Sequence, residues 1–128
     1  MDYEGVIIEE SLADTAVLRR LTVLSTRTEA VTDWHATPWL AQWTFHSVIV
    51  PEADADEIAA LIGRAIEREH ATSWYADYKN DTHHYVIFSD GAFYIDRRNA
   101  DEYEEARTYG IGRGLPEHHA DFVALITP

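Results

Sequence analysis

At 128 residues, with 46% hydrophobic and 12% aromatic side chains, the chain has the size of one domain (1–128). It carries enough apolar surface for a core, which excludes an intrinsically disordered protein. The absence of cysteine excludes a disulfide framework, a thiolate metal site and a cysteine nucleophile, and the apolar runs are too short to span a bilayer. With 10 Lys and Arg against 23 Asp and Glu, the formal net charge of -13 excludes duplex binding by counterion release and docking on an anionic membrane.

Tyr3 to Glu10 contains the run Val6-Ile7-Ile8 between acids and predicts a short strand, followed by a turn over Ser11 to Ala16. Partial alternation over Leu21 to Glu29 predicts a second strand. Pro38, which cannot donate to a sheet ladder, makes Thr32 to Ala41 a loop. Gln42 to Val50 alternates cleanly and stops at Pro51. Mid-strand His46 reads as lying on the solvated side of the sheet. Asp54 to His70 places Ile58, Leu61, Ile62, Ala65 and Ile66 on one helical stripe, with acids early and Arg64 and Arg68 late. Strands over Ser73 to Tyr78, His83 to Phe88 and Ala92 to Asp96 follow, the last two joined through Asp90-Gly91 as a two-residue hairpin with positive φ. Asn99 caps a second helix to Tyr109 that Gly110 terminates, and Glu117 to Ile126 adds a turn or closing segment.

The order β-β-β-α-β-β-β-α predicts an α+β two-layer sandwich with an antiparallel or mixed sheet of about five to six strands. The two helices are expected on one face, in an arrangement that is ferredoxin-like in part. An acidic chain with Lys79 as its single lysine suits a high-salt cytoplasm, so the expected compartment is cytoplasmic.

Aromatic residues concentrate in two places. Trp74, Tyr75, Asp77, Lys79 and Asn80 combine rings with a few polar anchors, as the lining of a small-molecule cleft does. Trp34, Trp39 and Trp43 cluster around the Pro38 loop, which is expected to fold over the sheet as a lid or pack as a plug. His83 and His84 follow, but adjacent strand residues point to opposite faces, and the spacings of metal motifs are missing. Neither a metal nor a cofactor is therefore expected. The glycines at 110, 112 and 114 lack the strand that leads into a phosphate loop.

The segments Tyr3 to Leu12, Thr37 to Thr44 and Trp74 to Asp81 resemble a set of small, uncharacterised prokaryotic proteins. The resemblance implies a free-standing protein of this length and brings no activity with it. From the residues, the leading expectation is a domain binding a small ligand or a protein partner through an aromatic-lined sheet edge. The binding residues would be Trp39, Trp43, Trp74, Tyr75, Asp77, Lys79, Asn80, His83 and His84. An alternative is a small hydrolase, metal-dependent or not, using His and Asp of residues 77–84. A third is an acidic interaction or inhibitor protein. An aromatic outer face also suits a homodimer.

Overall fold

A computed structural model describes residues 1–122. Six strands, β1 (Tyr3–Ile8), β2 (Thr22–Ala30), β3 (Gln42–Val50), β4 (Ala76–Lys79), β5 (His83–Phe88) and β6 (Gly91–Asp96), form one open sheet in the order β2-β3-β1-β4-β5-β6. Every neighbouring pair is antiparallel. Two α-helices lie wholly among the described residues, α1 (Ala55–Ala65) and α2 (Ala100–Arg113). β3 and β4 run parallel with β1 between them, so β3-α1-β4 is a split β-α-β unit, the feature shared with ferredoxin-like folds. The α+β class and the open sheet agree with the sequence pattern. Among the described residues no helix is long and apolar enough to cross a membrane.

The helices do not share one face of the sheet, contrary to the sequence expectation. Ile58, Ala59 and Ile62 of α1 pack with Tyr3, Ile7, Val48, Tyr78 and Ile87, and the Tyr78 hydroxyl donates to the Ala55 carbonyl at 2.6 Å. Ala106 of α2 packs with Val86, Phe88 and Ile95 on the opposite face. Consecutive residues of a strand face opposite ways, so Ile87 meets α1 while Phe88 meets α2. β5 is buried on both faces because each has its own helix. The α2 layer covers β5 and β6, two of the six strands, and leaves the β2-β3-β1-β4 part of its face to other material. That vacancy shapes the candidate site.

Local departures from the sequence pattern have identifiable causes. α1 stops at Ala65 instead of His70 because Ile66 turns extended to bridge Leu12, and the Glu67 N–H donates to the Ser11 carbonyl at 2.8 Å. α2 runs past Gly110, which packs against Leu115 and Phe88, and ends at Gly114, whose φ of 113° supplies the left-handed cap. The β5–β6 hairpin turns on Ser89 and Asp90, since Phe88 pairs with Gly91, and Gly91 opens β6 without a positive φ. His46 is buried, not solvated, and is satisfied by Thr26 Oγ1 at 2.8 Å and Glu9 Oε1 at 3.0 Å. The closing segment starts as a short turn over Glu117–His119, and its expected extent beyond Phe122 lies outside the described residues.

Candidate functional site

The four-stranded part of the sheet that α2 leaves open carries a cleft of about 510 Å³. Its floor is the outward side of three strands: Val6 and Ile8 of β1, Phe45 and Ser47 of β3, and Leu24, Arg27 and Glu29 of β2. Alternation puts these side chains on one face, which is why β1 contributes Glu4, Val6 and Ile8 here while Tyr3 and Ile7 enter the α1 core. The bulge between Val23 and Ser25 brings Leu24 to the cleft despite its opposite parity to Arg27 and Glu29. Trp43 and Trp74 form one wall with centroids 5.5 Å apart, and Trp34 reaches over Trp43 at 6.5 Å. Trp43 is fixed by donating from Nε1 to Thr37 Oγ1 at 2.9 Å, and Trp74 by donating from Nε1 to Glu67 Oε1 at 2.9 Å. The Arg27 guanidinium covers the Phe45 ring at 4.1 Å and is paired with Glu29 at 3.0 Å.

β4 forms the polar wall, with Tyr75 just before it and Asp77 and Lys79 on it. Asp77 is only 5% exposed. Its Oδ2 lies 2.9 Å from His84 Nε2, and His84 Nδ1 lies 2.9 Å from the Tyr103 hydroxyl on α2. Register explains the meeting: Asp77 stands opposite Val86 and Lys79 opposite His84, so Asp77 and His84 are diagonal neighbours on one face. Burial holds the Lys79 ammonium below its ordinary range, the charge of Arg97 adds to this, and Asp77 opposes it. Burial, reinforced by Asp77 and Asp121, pushes the Tyr75 phenol far up.

A second knot closes the cleft at its Trp34 end. His118 and His119 both place Nε2 on the Trp34 carbonyl, at 2.7 and 2.8 Å, and His119 lines the cleft. Burial lowers the His119 pKa, the Trp34 carbonyl opposes that, and His118 and His35 reinforce it. His35 spans Thr32 N at 2.9 Å and Glu29 Oε1 at 2.9 Å, and Ala36 takes a left-handed φ of 58° to turn the loop.

Of the nine residues singled out in the sequence, the structure brings Trp43, Trp74, Tyr75, Asp77 and Lys79 to the cleft. His84 sits directly behind Asp77, 1% exposed, with both ring nitrogens engaged. Trp39 lies elsewhere, stacked on His70 at 3.7 Å. Asn80 builds the β4–β5 turn, accepting from Thr82 N and His83 N at 2.9 Å each, and His83 stacks on Tyr94 at 4.5 Å. The cleft lies on the face of the sheet, since β4 is an interior strand and not an edge. Trp34, which the sequence places with Trp39 and Trp43 around the Pro38 loop, also lines the cleft. Sequence reasoning missed Phe45, Arg27, Glu29, His119 and Tyr103, of which Phe45 carried a signal, because it shares the parity of Trp43.

With both His84 nitrogens engaged by Asp77 and Tyr103, the β4 wall presents the Asp77 carboxylate to a bound molecule and not the His84 imidazole. Among the described residues no group of three or more His, Asp and Glu converges on a metal position. No protein-family model, curated protein or solved structure matches this chain.

Proposed function

We propose that this protein binds a small, flat, largely apolar molecule in the cleft over β1, β2, β3 and β4. One observation carries the reading: a cleft of about 510 Å³ walled by Trp34, Trp43, Trp74 and Phe45, with a buried carboxylate on one side. Ligand sites of roughly 300–1,000 Å³ combine apolar, aromatic walls with a few fixed polar groups, and that is the composition here. The wall tryptophans are held by hydrogen bonds to Thr37 and Glu67, so little ordering is left to oppose binding.

The four indole N–H groups provide the test. In a 15N-labelled sample titrated with indole, the Nε1–H signals of Trp34, Trp43 and Trp74 shift in a saturable way. That of Trp39, stacked on His70 outside the cleft, stays still. Four signals moving together, or none moving, would overturn the reading.

A further inference from the structure

The charged groups around the cleft are not equivalent. Glu29 is ion-paired with Arg27, and Glu4 stands opposite Lys79 in the β1–β4 register. Asp77 is held instead by a chain of hydrogen bonds that comes from the α2 side of the same face. A carboxylate can only accept, so His84 Nε2–H donates to Asp77 Oδ2 at 2.9 Å. On the other side of the same ring, His84 Nδ1 lies 2.9 Å from the Tyr103 hydroxyl of α2. Every member has a partner, in keeping with the absence of unsatisfied buried side-chain polar atoms among the described residues. The chain ends on one carboxylate, that of Asp77, at the cleft wall.

Building on the small-ligand reading above, we infer that the cleft selects an aromatic amine in its cationic form, the ring lying among the tryptophans and the ammonium meeting Asp77. A carboxylate that accepts from one imidazole N–H has acceptor capacity left for a cation or a strong donor. The ring faces of Trp43, Trp74 and Phe45 favour the same charge sign. A formal net charge of -13 also concentrates cations at the surface and repels anions.

The experiment titrates the full-length protein with three probes that share one ring: tryptamine, tryptophol and indole-3-acetate. Binding is read by calorimetry and by the tryptophan Nε1–H shifts. Tryptamine is expected to bind about tenfold more tightly than tryptophol, with indole-3-acetate weakest. In D77N, tryptamine falls to the level of tryptophol while tryptophol is unchanged within about twofold. D101N, which removes one charge at the exposed start of α2, keeps the wild-type ranking. Equal binding of tryptamine and tryptophol, a preference for indole-3-acetate, or a ranking that survives in D77N would each overturn the amine inference and leave small-ligand binding standing. Failure of all three probes to move any cleft tryptophan would remove the small-ligand reading itself. The wild-type ranking decides the question even if D77N does not fold.

Discussion

Gly5 on β1 is the point where two strands approach too closely for any side chain. A Cβ at this position would lie 2.0 Å from the Asp77 carbonyl oxygen and 2.6 Å from Tyr78 Cα, both backbone atoms of β4. Ordinary contact begins near 3.4 Å, so Gly5→Ala must push β4 away by about 1.4 Å, and packed interiors resist such shifts. Overpacking costs about 1–3 kcal/mol. The β1–β4 ladder holds only Glu4–Lys79, Gly5–Tyr78 and Val6–Asp77, so weakening one or two of its hydrogen bonds adds about 1 kcal/mol each. A loss of about 3–4 kcal/mol is expected, which for a domain of this size lowers Tm by roughly 10–15 °C. Differential scanning calorimetry measures it directly. Because the displaced strand carries Asp77 and Lys79, a folded Gly5→Ala protein should also lose indole binding at temperatures well below its Tm. A Tm within about 2 °C of the wild type would refute the close approach of β1 and β4 and, with it, the placement of Asp77 on the cleft wall.

Two further outcomes follow from the buried polar groups. His84→Leu leaves Asp77 and the Tyr103 hydroxyl buried without their ring partner and should cost about 3 kcal/mol in urea unfolding; adding Tyr103→Phe should cost less than the separate effects combined, because the two residues act in one network. His119 has a folded pKa below the ordinary 6.5, so the unfolded chain takes up its proton first. Its contribution to stability is complete above 6.5 and is lost as pH falls through the lower folded value. Unfolding midpoints measured downward from pH 7 should decline less steeply in His119→Gln than in the wild type, and parallel curves would contradict the burial of this ring.

Elements with a local signal were legible in the sequence. β3 was readable from end to end because alternation ran uninterrupted to Pro51, and β5 because its apolar run sat between a turn and Ser89. The end of α1 was not, since what stops it is a bridge from Ile66 to Leu12, far away in the chain. Gly110 looked like a terminator, yet its missing side chain serves close packing against Phe88, and the cap belongs to Gly114. The face chosen by α2 left no trace, because β5 is apolar on both sides and either face could have received a helix. At the site, the aromatic and polar run from Trp74 to Lys79 marked one wall correctly. The floor comes in part from Phe45 and Arg27, which only the β1–β3 and β2–β3 pairings bring near. Tyr103 was invisible, because its partnership with His84 depends on how α2 docks.

β1 is the first strand in the chain, yet it occupies the interior of the sheet between β3 and β4. Its partners lie as far along as Val50 and Lys79, so both ladders must close long loops before they return any stability. During synthesis the segment Tyr3–Ile8 leaves the ribosome well before either partner strand and waits with both edges unpaired. Glu4, Glu9 and Glu10 charge the margins of this short apolar run, the kind of gatekeeping that discourages pairing with another chain in the interval. The cleft floor over β1, β2 and β3 has all its strands once β3 is made, whereas the second edge of β1 is covered and the Asp77 wall is added only when β4 arrives.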